Sequence, residues 1–464
     1  MKHSFALQVV LIGIIVGLVI SVFDNVFIPF ILPILFSLLI YFYLKNNPLI
    51  RNVLLIALWI RVFFSLMYYF YLSCQPSILL KEFTGLHFGL DGELYAGHGW
   101  WVAVLNTGKD ILKNNLMLTN GFFSETYVFE DYVLMNRYIP MNSYEVGFFA
   151  YLIAVVYSIF GYCPLLLNFI NCVFGVLIGY LAYLIALETF DKKTAYVTLV
   201  ITLFFPTLFI WSSFTKLKEP SYIFLIMLFI LLSIKFIKQR KFYYLAINIV
   251  LIFLTEAIRR RLAYLLAPTL VTSILLAIPV KLKNKLKLAL ILIILIKIIG
   301  LDSLIVKNLE KKIDYLMLLH QGAVTSGGVV YRLLGNYAYQ SGYTCANLSH
   351  KAYLIYYLKA LYHYFLEPFP SHAVTTTLLL FLILQAFWII ILILATLSLI
   401  LNYKKLNSSH VLLIFYLFLM SSATAMAEGN IGTLVRHRGA IAPILTIFAS
   451  AAIVNLFFSD DKVS

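Results

Sequence analysis

The chain has 464 residues, of which 62% are hydrophobic, 16% aromatic and only 12% charged, with a formal net charge of +15. So much apolar surface excludes a soluble globular domain, and the bilayer has to act as solvent for most of the chain. The apolar runs lack the period-two alternation of barrel strands, so the expected fold class is an all-α polytopic membrane protein of about 12–14 transmembrane helices with outer-face loops and interfacial helices.

The N-terminal segment, 1–73, carries three apolar runs, at 4–23, 26–44 and 52–73. The first lacks a small-residue cleavage site and reads as a retained span. Segment 74–142 is polar and is expected to be an outer loop with interfacial helices; Trp100-Trp101 suit the headgroup level. The central segment, 143–306, holds apolar runs at 144–161, 165–189, 195–211, 220–237, 242–258, 262–280 and 288–306. Segment 307–372 reads as a second outer loop, with a Tyr-rich amphipathic helix over 351–367. The C-terminal segment, 373–464, contains spans at 374–402, 408–426 and 440–458.

Lysine and arginine gather in short loops at Lys192-Lys193, Lys238 to Lys241, Lys281 to Lys287 and Lys404-Lys405. This is the positive-inside pattern, so the positive charge implies membrane-lipid contact and argues against a nucleic-acid partner. Sidedness then allows one crossing between 143 and 190, where two apolar runs occur. Either 144–161 is a half-buried or interfacial helix, or one basic loop breaks the rule. The four cysteines, Cys74, Cys163, Cys172 and Cys345, show no metal-ligand spacing.

Four polar clusters on the expected outer face carry candidate chemistry. Phe88-Gly-Leu-Asp91-Gly-Glu93-Leu-Tyr95 places two acids on a short turn after a glycine. Such a pair can bind a divalent cation, or one acid can serve as general base for a hydroxyl; the ordinary alternative is a solvated loop. Lys218-Glu219-Pro220 opens a span, where Glu219 and Pro220 suit a first helical turn and a Lys–Glu pair would project outward. Arg259-Arg260-Arg261 runs against the positive-inside trend and is costly at an outer face unless it meets an anion such as a lipid-linked phosphate. Arg436-His437-Arg438, between the last two spans, forms a second such cluster, with snorkelling at a helix end as the alternative. Tyr331-Arg332 and His320 are weaker features, and Glu367-Pro-Phe-Pro-Ser-His372 reads as a helix terminator and re-entry turn.

Several of these pieces, in order, resemble the GT-C superfamily of membrane glycosyltransferases: Asp91 in the first long outer loop, Tyr151 to Gly161 ending in Ile-Phe-Gly, Asn168 to Phe190, Ala195 to Pro206, and Lys218-Glu219. The nearest style is family 39, the protein O-mannosyltransferases and aminoarabinose transferases, and the late Pro-Phe-Pro and Arg-His-Arg elements resemble bacterial envelope-polysaccharide members. This sequence has three apolar segments before the acidic loop where one is usual, and Asp-Gly-Glu in place of adjacent acids. The resemblance implies a polyprenyl-phosphate-linked sugar as donor and a glycan, lipid or protein hydroxyl as acceptor. It also implies inversion at the anomeric carbon, Asp91 as base, and a bacterial plasma membrane with the site on its periplasmic face. The roles of Lys218, Arg259, Arg260, Arg261, Arg436 and Arg438 on phosphate come from the charge argument; Glu93, Tyr95, Glu219 and His437 are supporting residues. Two rivals remain, a polysaccharide polymerase or ligase using lipid-pyrophosphate donors, and a lipid-linked sugar flippase or transporter.

Overall fold

The computed structural model describes residues 27–73, 96, 99, 148–161, 163–280, 284, 301–325, 329–335, 350–372 and 376–458. Among them, α1 (Phe27–Tyr43) and α2 (Pro48–Ser73) precede α3 (Phe148–Phe160) and α4 (Pro164–Thr189). Next come α5 (Lys192–Phe204), α6 (Pro206–Ser213), α7 (Glu219–Gln239), α8 (Tyr243–Ile258) and α9 (Ala263–Ala277). The remainder are α10 (Leu301–Thr325), α11 (His350–Leu366), α12 (Thr376–Asn402), α13 (Ser408–Ala427), α14 (Ile431–His437) and α15 (Ala442–Phe457). The only extended pairing among the described residues is one isolated antiparallel bridge between Val330 and Asn430.

The chain is an all-α polytopic membrane protein. Among the described residues, α2, α4, α7, α12 and α13 are long and apolar enough to cross a bilayer alone. Two bent pairs qualify as broken spans, α5 with α6 at 52° and α14 with α15 at 63°. The apolar helices α1, α3, α8 and α9 are shorter. Helix α3 has 13 residues, which at about 1.5 Å per residue falls short of a ~30 Å hydrocarbon core. Of the two apolar runs between 143 and 190, only α4 is long enough, among the described residues, to cross a bilayer by itself. The run expected over 195–211 as one span is broken at Pro206, which has no N–H to donate into the helix ahead of it. The stretch expected as a loop after 306 continues as α10, a 25-residue helix whose lysines and acids keep it below the hydropathy of a span. The run expected over 4–23 lies outside the described residues, as does most of 288–306.

The helices sort into two compact units, the first comprising Met1–Tyr183, Leu199–Leu225 and Leu254–Arg260, the second Leu184–Thr198, Ile226–Phe253 and Arg261–Ser464. In the first, α1 packs on α2, and buried Trp59 donates its indole N–H to Ser37 Oγ at 3.0 Å. Phe30 meets Phe169 of α4 edge to face at 5.2 Å. Gly161 ends α3 at φ 76°, a left-handed conformation that costs glycine nothing, and Pro164 opens α4. Buried Arg61 of α2 serves the break between α5 and α6. Its Nε donates to Ser212 Oγ at 3.0 Å, its Nη1 to the Ala57 carbonyl at 3.1 Å, and its Nη2 to the Leu203 carbonyl. The break leaves that last carbonyl without a helical donor, and hydrocarbon offers no water to replace it.

In the second unit α13 packs against α9, α10 and α11, while α12 lies along α15. Asn407 starts α13 with a reciprocal capping box, its Oδ1 accepting from the Ser409 and His410 N–H groups. Glu188, near the C-terminus of α4, pairs with Lys238, near the C-terminus of α7, at 2.8 Å. The pair is exposed and weak energetically. It nevertheless fixes topology, because the loops carrying Lys192-Lys193 and Lys238 to Lys241 must share a face. Helix α7 therefore begins, at Glu219, on the opposite face.

Candidate functional site

One polar constellation belongs to the first unit, at the end where α7 begins and α8 ends. Asn171, on the third turn of α4, donates from Nδ2 to the carbonyls of Thr215 and Leu217 at 2.8 and 2.9 Å. This satisfies the backbone of a non-helical connector and holds it against α4. Two residues on, Glu219 starts α7 at only 1% exposure. Arg259 lies 3.7 Å from its carboxylate, donates to Tyr222 Oη at 2.8 Å, and stacks its guanidinium 4.9 Å above the Tyr222 ring. A half-buried guanidinium held on three sides keeps its charge and loses its freedom, as an oxyanion-binding group requires.

The other sequence-predicted cations are placed unequally. Lys218 is half-buried ahead of α7, and Arg260 is exposed. Arg261, in the second unit, is exposed at φ 81° with its guanidinium 4.7 Å over the Tyr315 ring. Asp91, Glu93 and Tyr95 lie outside the described residues. Their segment becomes visible at Ala96, packed with Ile153, Ala154 and Tyr157 of α3 and Leu167 of α4. At Gly99 a β-carbon would fall 2.3 Å from Ile153 Cγ2, so the backbone rests directly on α3 and glycine is required. Ala96 thus packs at the same end of α4 as the connector before Glu219.

The second unit contains a separate polar nest built on the stretches after α10 and α13. The bridge at Val330 and Asn430 is closed by two hydrogen bonds, Tyr331 N–H to the Gly429 carbonyl at 3.1 Å and Ile431 N–H to the Val329 carbonyl at 3.0 Å. The Glu428 carbonyl accepts from Tyr331 Oη and from His320 Nδ1, each at 2.6 Å. The Glu428 carboxylate pairs with buried His437. Burial pushes the His320 imidazole down to about 4, more than its hydrogen bond and charge contact with Glu428 raise it. It is therefore the neutral ring whose Nδ1–H donates.

Arg438 is 2% exposed. Its Nε, Nη1 and Nη2 donate to the Tyr364 carbonyl, Gln385 Oε1 and the His363 carbonyl at 2.6, 3.0 and 3.4 Å. It thus caps the carbonyls that end α11, and these donors are directed into the protein. Arg436 is half-buried in the short α14.

Beside it stands a group that the sequence disguised as a helix terminator. Glu367 is fully buried, and its Oε1 accepts from His363 Nδ1 at 2.8 Å and from His372 Nδ1 at 3.0 Å. Its Oε2 accepts from the Phe369 N–H at 2.8 Å. Burial alone would raise this carboxyl, but the three hydrogen bonds together outweigh it and hold it below the usual carboxylate range. The available signal was the i,i+4 spacing of His363 and Glu367, with His372 one short turn later. Among the described residues no cluster of three or more His, Cys, Asp or Glu side chains has metal-holding geometry.

Residues 147–301 match the family model described as dolichyl-phosphate-mannose-protein mannosyltransferase. No curated protein and no solved structure matches the chain. The matched stretch is about a third of the length and runs from the start of α3 through α9. It supports the membrane-glycosyltransferase class that the sequence features resemble.

Proposed function

We propose that this integral membrane protein is a glycosyltransferase that moves a sugar from a polyprenyl-phosphate carrier to an acceptor hydroxyl in glycoconjugate synthesis at the outer face of a bacterial plasma membrane. One observation carries the reading: the mannosyltransferase-like stretch, 147–301, contains the whole Glu219–Tyr222–Arg259 constellation.

In this reading the acceptor oxygen attacks the anomeric carbon while the bond to the carrier phosphate breaks, and the leaving phosphate keeps the electron pair. Asp91 takes the acceptor proton, and the configuration at the anomeric carbon inverts. Arg259, assisted by Arg260 and Lys218, stabilises charge growing on the phosphate oxygens, which is commonly the largest electrostatic contribution in such a site. Glu219 and Tyr222 hold the Arg259 fork in place. In the second unit, His437 and Arg438 hold the turn that presents Arg436 to the same class of anion.

The test uses full-length protein in nanodiscs with a sugar linked to polyprenyl monophosphate and, in parallel, to polyprenyl pyrophosphate. Transfer from the monophosphate is expected, with a loss of about 10²–10³ in rate for Arg259→Gln and near-complete loss for Asp91→Asn. Full activity in a stably inserted Asp91→Asn protein removes the base assignment. Transfer from the pyrophosphate alone would favour a polymerase or ligase instead.

A further inference from the structure

The histidine pair around Glu367 has no part in that chemistry, yet it is built with the care of a binding site. Both imidazoles touch the same buried oxygen, Oε1, so they are close neighbours. An ionised carboxylate only accepts hydrogen bonds, so each Nδ1 must carry the proton. In a neutral ring this fixes the tautomer, so that Nε2 is the nitrogen with the lone pair. Glu367 is 0% exposed, whereas the side chains of His363 and His372 are 19% and 31% exposed. The accessible part of each ring is thus the side away from the acid, where Nε2 stands. Neither Nε2 has a hydrogen-bond partner among the described residues.

The surroundings are aromatic. Tyr331 stacks on His363 at 4.4 Å and 12°. Phe369 lies 6.0 Å from His363 and 6.1 Å from His372, and Tyr362, 54% exposed, lies 5.5 Å from Phe369. The cluster falls between α11 and the span α12, at a membrane face.

We infer that His363 and His372 form a subsite for a polyhydroxylated ring, a sugar whose hydroxyls donate to the two Nε2 atoms and whose apolar face meets the flanking aromatic side chains. Two acceptors side by side call for two donors. A sugar-lipid phosphodiester offers only acceptors, and any phosphate at this site would also meet the negative charge of Glu367. Few polar groups fixing orientation within an aromatic surround is the usual make-up of a small-ligand site. Glu367 is then a positioning residue, acting through the tautomers it imposes. Assigning the ring to donor or acceptor glycan rests on the transferase reading; the hydroxyl-binding chemistry stands without it.

The experiment applies saturation-transfer NMR to full-length protein in nanodiscs, with methyl glycosides of mannose, glucose and galactose as probes. Inorganic phosphate is followed separately by phosphorus line width. A glycoside signal is expected in the wild type and should fall about tenfold in His363→Ala and in His372→Ala, one hydrogen bond being lost in each. His372→Gln, which keeps an acceptor at a partly exposed position, should recover part of it. Nitrogen NMR of labelled histidine should show two Nδ1-protonated rings. In Glu367→Gln these should revert towards the Nε2-protonated form as the glycoside signal falls, whereas Lys404→Gln, at an exposed residue of the loop after α12, should leave both unchanged.

No glycoside signal in the wild type overturns the proposal. So does a signal indifferent to both alanine variants, or phosphate broadening that depends on the pair. If the wild type transfers no sugar but binds glycoside through the pair, the transferase reading fails and the subsite stands. If transfer is intact and glycoside binding ignores the pair, the subsite alone fails.

Discussion

Replacing Arg61 separates two accounts of a charge inside a membrane span, one in which it is tolerated and one in which it holds the fold. Its guanidinium makes three hydrogen bonds, to Ser212 Oγ, the Ala57 carbonyl and the Leu203 carbonyl, and lies 5.0 Å from the centre of the Phe209 ring. Ser212 keeps a partner without it, since its hydroxyl also donates to the Leu208 carbonyl at 2.7 Å. The Leu203 carbonyl sits at the break between α5 and α6 and depends on the arginine.

Arg61→Lys retains a buried cation but reaches at most one or two of these acceptors. At about 1.5–3 kcal/mol per charge-assisted bond, with the cation still desolvated, the loss is about 3–5 kcal/mol. Arg61→Met loses all three bonds but removes the desolvation of the charge, so its net cost is smaller, about 1–3 kcal/mol. The expected order of apparent melting temperature in detergent is wild type, then methionine, then lysine, read by fluorescence at one scan rate because such unfolding is commonly irreversible. The chemically conservative substitution is thus expected to be the worse one. A lysine variant that melts with the wild type would refute the argument, since it would show that charge alone, not the planar fork, stabilises the break.

Other expectations follow from single contacts. Tyr222→Phe removes the 2.8 Å hydrogen bond to Arg259 and should lower transfer about tenfold with little change in melting, so unaltered activity would detach Tyr222 from the site. Folded His320 titrates at about 4, against about 6.5 unfolded, so the unfolded chain takes the proton first on acidification. Stability should be flat above about pH 6.5 and fall by up to about 3 kcal/mol towards pH 4, a slope that His320→Asn should flatten. Gly429→Ala places a β-carbon 2.8 Å from the His320 carbonyl and 2.7 Å from Val324 Cγ2, and overpacking of this kind costs about 1–3 kcal/mol in melting assays. Arg438→Met orphans the Tyr364 and His363 carbonyls but removes a desolvated charge, and should destabilise by about 1–3 kcal/mol, with proteolysis increasing first near the end of α11.

The elements were legible where apolar length alone decides them. Runs of about twenty apolar residues leave helix as the only way to satisfy a backbone in hydrocarbon, and α2, α4, α7, α12 and α13 stand where those runs stand. Hydropathy was silent on α10, whose charges are spread among its apolar residues, and the expected span over 195–211 concealed a break that only the 52° bend reveals.

The candidate sites divide in the same way. Charge counting found Lys218, Glu219 and Arg259 because cations and acids at a span end stand out in an apolar sequence. It did not find Tyr222, since a tyrosine in a chain with 32 of them carries no signal. It ranked Arg436 and Arg438 alike, yet the fold turns Arg438 inward onto the carbonyls of α11. It read Glu367 as a terminator, whereas the fold closes two histidines around it.

What the sequence by itself determined is therefore the solvent: which segments lie in lipid, and which polar residues stand at their ends. Only the tertiary structure decided where each polar side chain sends its hydrogen bonds. Hydrophobic burial depends on composition and period, which a sequence displays. Hydrogen bonding depends on direction over about 3 Å between residues far apart in the chain, which only packing sets.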